Sequence, residues 1–109
     1  MTSIHPLPPY LNHIAEYAVD NMAKNGLELS SCLYTSLKIN ILERQVIFSQ
    51  RVKKIGETLR IDCWNIFQLS KTILDDPLRK FDKLTVIVWF KNGKVNFTDY
   101  KIYEEDNQE

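Results

Sequence analysis

From Tyr10 onward, apolar residues recur at helical spacing. Leu11, Ile14, Ala15, Ala18, Val19 and Met22 form one stripe, and Asn12, Glu16 and Asp20 lie on the other side. The spacing predicts a helix over about 10–25. Asn25-Gly26 should close it, because glycine accepts the left-handed backbone that ends a helix. The period then falls to two. Leu27, Leu29, Leu33, Leu37, Ile39 and Ile41 alternate with polar neighbours, which predicts a half-buried strand long enough to carry a bulge. Residues 43–55 fit both periods, since Phe48, Val52, Ile55 and Leu59 have helical spacing. The β-branched and aromatic run at 46–48 favours a strand. Thr58 to Ile61 adds a short third strand after a turn at Gly56.

Asp62 reads as the N-cap of a second helix. Ile66, Leu69 and Ile73 give that helix its stripe, and Trp64, Phe67 and Leu74 widen it enough to predict burial between layers. Asp75-Asp76-Pro77 should stop it, since the residue before proline avoids helical backbone. Leu84 to Phe90 is a β-rich run. Asn92-Gly93 follows as a hairpin turn needing positive φ at both positions, and Lys94 to Tyr103 returns. On that strand Val95, Phe97, Asp99 and Lys101 should share one face, with Asn96, Thr98, Tyr100 and Ile102 on the other.

The elements assemble into an α+β fold of order α-β-β-(β)-α-β-β. It should have two layers, with two helices covering an antiparallel sheet of four to five strands. The expected core includes Leu11, Ile14, Ala18, Met22, Leu37, Ile39, Phe67, Ile73 and Val86. At 109 residues, the chain reads as a single domain, 1–109. Residues 1–9, with Pro6, Pro8 and Pro9, read as an irregular arm, and 104–109 as a solvated acidic tail. The order α-β-β-β-α resembles that of a double-stranded-RNA-binding domain. The likeness is one of order alone, because Asp62-Cys63-Trp64-Asn65 lacks the lysine-rich stretch that would grip phosphate there.

Composition narrows the function classes. Fourteen basic and fourteen acidic residues cancel, so no overall field draws the chain to nucleic acid or a membrane. No apolar run approaches the length needed to span a bilayer, and the N-terminus lacks the basic and apolar regions of a secretory signal. Two cysteines, Cys32 and Cys63, do not make a disulfide framework. A soluble protein of the reducing cytoplasm is expected.

Candidate chemistry is thin. His5, His13, Cys32 and Cys63 form no close ligand pair, so no metal and no cofactor is expected. Cys63 in the first turn of helix two would feel the helix dipole, while Asp62 beside it opposes a thiolate. The three glycines stand far apart in turns, which excludes a phosphate-binding loop. The expectation is therefore a protein that is not an enzyme.

Charge and aromatics are unevenly placed. Residues 31–60 carry six bases against two acids, while 104–109 carry four acids and no base. Trp89, Phe90, Phe97, Tyr100 and Tyr103 gather in the last hairpin. The favoured function is a small protein-binding module of inhibitor, adaptor or immunity type. Arg44, Arg51, Lys53, Lys54, Trp89 and Tyr100 are its candidate partner-binding residues. Aromatics would anchor the contact and bases would steer an acidic partner. The alternative is a nucleic-acid-binding or regulatory protein using the basic 44–60 hairpin. A homodimer is compatible with either. The basic and aromatic segments can meet only if the two hairpins share a sheet.

Overall fold

The computed structural model describes residues 10–64, 66–79 and 81–103. The arm expected over 1–9 and the acidic tail expected over 104–109 lie outside these residues. Helix α1 spans Leu11–Lys24 and ends as its sequence requires. Leu27 N–H donates to Met22 C=O and Gly26 N–H to Ala23 C=O, while Gly26 takes φ +77°. These are the two bonds of a Schellman cap, which satisfy carbonyls left over at the helix end. A single 3₁₀ turn, Leu29–Ser31, interrupts the strand expected from residue 27. Strand β1 therefore starts later, as Cys32–Leu42.

Four more strands follow: β2, Gln45–Lys54; β3, Glu57–Ile61; β4, Lys83–Lys91; and β5, Lys94–Tyr103. Helix α2, Phe67–Leu74, lies between β3 and β4. The stretch with two possible periods is thus a strand. The sheet is antiparallel throughout, in the order β3-β2-β1-β4-β5. Pairing of β1 with β4 joins the first hairpin to the last. Among the described residues, no helix is long and apolar enough to cross a membrane.

Both helices pack against one face. Ile14, Ala18 and Met22 of α1 and Ile73 of α2 are buried with Leu37, Ile39, Val52, Leu84, Val86 and Val88. Polar groups inside this layer fix its register. Gln50 Nε2 donates to Thr35 Oγ1 and to Ala18 C=O, each at 2.9 Å, and Gln50 Oε1 accepts from Asn21 Nδ2 at 2.8 Å. A slip of one residue would bury Arg51 or Ser49 in place of Gln50 and orphan these partners.

Helix α2 departs from expectation. It starts at Phe67, with Ile66 in the N-cap position, so Asp62 caps nothing. The segment before it is held by tertiary hydrogen bonds instead. Tyr17 Oη donates to Trp64 C=O and accepts from Trp64 N–H, both at 2.8 Å. Asn21 Nδ2 donates to Asp62 C=O at 2.9 Å. These partners compete with a helical first turn for the same backbone groups. Phe67, expected in the core, is consequently 73% exposed, and Ile73 is the fully buried residue of the helix. The helix lies on the surface rather than between layers.

The last hairpin turns through Asn92 (φ 55°) and Gly93 (φ 77°), as its sequence predicts. Its strand alternation is broken once. Trp89 pairs with Phe97 but Phe90 pairs with Val95, so Asn96 is the extra residue of a bulge. Val95 therefore shares the helix side with Val88 and does not share a face with Phe97.

Candidate functional site

With both helices on one side, no element among the described residues covers the other face of the sheet, here called the open face. Strand alternation and register decide what it displays. Lys53, Tyr34, Trp89 and Phe97 lie opposite one another across β2, β1, β4 and β5. The next row is Arg60, Arg51, Ser36, Ile87 and Asp99. Beyond it come Ser49, Lys38, Thr85 and Lys101, and then Ile47, Asn40 and Lys83.

The three rings of the first row touch. Tyr34 and Trp89 have centroids 4.7 Å apart at 48°, and Trp89 and Phe97 are stacked at 5.8 Å and 19°. Such contacts are worth about 0.5–1.5 kcal/mol each beyond area burial. They hold Trp89 in place before anything binds. The outer ring, Phe97, remains 52% exposed.

The face is also electrostatically one-sided. It carries Lys38, Arg51, Lys53, Arg60, Lys83 and Lys101 against one carboxylate, Asp99, among the described residues. Arg51 stands directly opposite Arg60, a like-charge pairing that costs stability. Among the described residues, none of these six cations forms an ion pair. Asp99 is itself engaged, its Oδ1 accepting from Tyr100 N–H at 2.8 Å.

Of the six residues singled out from sequence, Arg51, Lys53 and Trp89 meet on this face. The other three lie elsewhere. Lys54 follows Lys53 on the strand and so points to the helix side, 3.6 Å from Glu57. Tyr100 pairs with Val86 and packs against the core beneath the helices. Arg44 sits in the β1–β2 turn with φ 69° and borders a hollow with Phe67 and Leu74 at the end of α2. Tyr34, Phe97, Arg60, Lys38, Lys83 and Lys101 join the surface without having been picked from sequence. A two-residue turn without a bulge would set Asn96 opposite Trp89 and put Phe97 on the face of Val88; the bulge at Asn96 reverses that parity, bringing Phe97 to the open face and taking Tyr100 away from it. Tyr34 needs the β1–β4 register, which couples residues 55 apart along the chain.

The chain matches no known protein family, and no curated protein and no solved structure is similar enough to it to count as a relative. Function must therefore be argued from this surface and from the remaining chemistry. Both cysteines are free, Cys32 buried and Cys63 half-buried. Cys63 lies ahead of α2, so the helix dipole expected to activate it does not apply. Burial pushes its thiol pKa up, Asp62 adds to the rise, and a hydrogen bond with Tyr17 opposes it. That is the direction of an inert thiol. Burial likewise pushes the neighbouring Tyr17 hydroxyl up to about 12, against the Trp64 N–H, which lowers it. Among the described residues, no group of three or more His, Cys, Asp or Glu side chains is placed to hold a metal ion.

Proposed function

We propose that this chain is a non-enzymatic protein-binding module of inhibitor, adaptor or immunity type, and that the open sheet face receives an acidic protein partner. The observation that carries the reading is the contiguous row Tyr34–Trp89–Phe97 set among cations that have no ion-pair partner among the described residues. Aromatic anchors ringed by polar and cationic side chains are the usual anatomy of a binding surface. The Arg51–Arg60 juxtaposition adds a reason for the partner to be acidic, since a carboxylate between them would remove a repulsion.

Nucleic acid is the competing partner for a basic face. Single strands bind by stacking bases on free ring faces. Here Trp89 is flanked by Tyr34 on one side and stacked with Phe97 on the other, so its faces are already used. A protein partner needs only the ridge that the three rings make.

Immobilised wild-type protein and its Trp89→Ala and Arg51→Glu/Lys53→Glu variants, exposed to the same cell extract, test the reading. An acidic protein retained by the wild type and lost by both variants is the expected result. Identical retention by all three overturns it. Oligonucleotide binding that falls steeply with salt and disappears in the charge-reversed variant would replace the protein partner with a nucleic acid.

A further inference from the structure

About four residues along β4 from the aromatic row, the open face dips. A hollow of about 430 Å³ is bordered by Lys38, Asn40, Ile47, Ser49, Lys83 and Thr85. Three strands build it: Ser49 lies opposite Lys38 and Thr85 beyond it, while Ile47 lies opposite Asn40 and Lys83 beyond that. Lys38 and Lys83 are therefore diagonal neighbours on adjacent strands, with Cα atoms roughly 7–8 Å apart. Both side chains are exposed and long enough to reach one point above the hollow. Lys101 stands opposite Thr85 on the far side. Among the described residues, none of the three lysines has an ion-pair partner. The floor holds a second unmet group: Asn40 Oδ1 is buried without a hydrogen-bond partner among the described residues.

We infer that this hollow seats the carboxylate of an acidic side chain from the partner protein, an inference that rests on the reading of the open face as a protein-binding surface. The donors fit that group. Lys38 and Lys83 stand on a diagonal with Thr85 and Asn40 between them, and Ser49 flanks Lys38 on the side away from Lys83. A lysine ammonium has three N–H bonds. Lys83, directly opposite Asn40, can give one to the buried Oδ1 and keep two for the carboxylate. Spacing then constrains the partner. Trp89 and Thr85 are separated by roughly 13 Å along the strand. An extended partner segment covers that distance in about four residues, and positions four apart face the same side. The recognised element is therefore an apolar side chain with an acidic one four residues away.

Isotope-labelled full-length protein, titrated with two capped peptides and followed by amide NMR shifts, tests this. One peptide carries phenylalanine and glutamate four residues apart; the other has glutamine for glutamate. The glutamate peptide should move the amides of Lys38, Asn40, Ser49 and Thr85 and bind at least about tenfold more tightly than the glutamine peptide. Lys38→Gln with Lys83→Gln should erase that difference while the spectrum keeps its folded dispersion. Equal binding of the two peptides, or a difference that survives the double variant, overturns the inference. Shifts confined to Tyr34, Trp89 and Phe97 overturn it and leave the wider reading standing. Silence across the whole face overturns both. Inorganic phosphate or a short oligo(dT) moving the hollow amides as strongly as the glutamate peptide replaces the acidic side chain with a general anion or a nucleic acid.

Discussion

On the helix side of the sheet, Leu84, Val86 and Val88 lie buried beneath the helices, and their polar companions Gln50, Thr35 and Asn21 are joined by hydrogen bonds that leave Asn21 Oδ1 alone without a partner among the described residues. One step along the same strand, Ile87 and Trp89 face solvent among cations that have no partner among the described residues. The two faces are made by the same strands and differ by parity alone. The covered face is consistent but for Asn21 Oδ1: apolar meets apolar, and Gln50 donates to Thr35. The open face breaks two such rules, with an uncovered aromatic ridge and with Arg51 set against Arg60. Breaches of this kind concentrate where a surface serves something other than its own stability.

If that contrast is right, substitutions on the two faces should have opposite signatures. The largest effect belongs to the covered side. Ile14→Ala, at a fully buried position, should lower unfolding free energy by about 2–5 kcal/mol in urea denaturation. A loss under about 0.5 kcal/mol would mean that α1 contributes little to the core. Next comes the turn that, with the bulge at Asn96, sets the register of Trp89 with Phe97. Gly93→Val forces a β-branched residue into positive φ and should cost more than about 1 kcal/mol. Unchanged thermal stability would contradict that turn geometry.

The smaller effects run the other way. Arg51→Glu places a carboxylate opposite Arg60 and should raise stability by about 0.2–1 kcal/mol while weakening binding. A destabilised variant would show that the arginine pair is held by something that favours it. Arg44→Gly relieves a left-handed arginine, worth about 1–2 kcal/mol. The glycine adds a chain-entropy cost of about 0.5–1 kcal/mol. A net gain of roughly 0.5 kcal/mol in unfolding free energy follows, read as a higher denaturation midpoint.

Periodicity made much of the fold legible. The stripe of α1, the Gly26 cap and the Asn92-Gly93 turn are local signals, and each has its expected role. Residues 62–64 depart from the helical expectation because the Asp62 signal is local while the groups that hold the segment, Tyr17 and Asn21, come from a distant helix. The candidate site was half legible for a related reason. A basic stretch such as 44–60 reads as one unit along the chain, but a strand sends Lys53 and Lys54 to opposite faces. Tyr100 looks like an exposed aromatic until its pairing with Val86 places it under the helices. Which face lacks a cover is a property of the whole sheet, and no window of sequence contains it.

The most direct test of the open face as the binding surface is kinetic. Association and dissociation of the captured partner would be measured at several salt concentrations for wild type, Arg51→Glu/Lys53→Glu and Trp89→Ala, with folding checked for each. Charge reversal should slow association and flatten its salt dependence. Removal of the Trp89 ring should leave association nearly unchanged, speed dissociation, and cost about 2 kcal/mol or more of affinity. If both variants stay folded and bind with wild-type rates at every salt concentration, the partner docks elsewhere and the central claim is wrong.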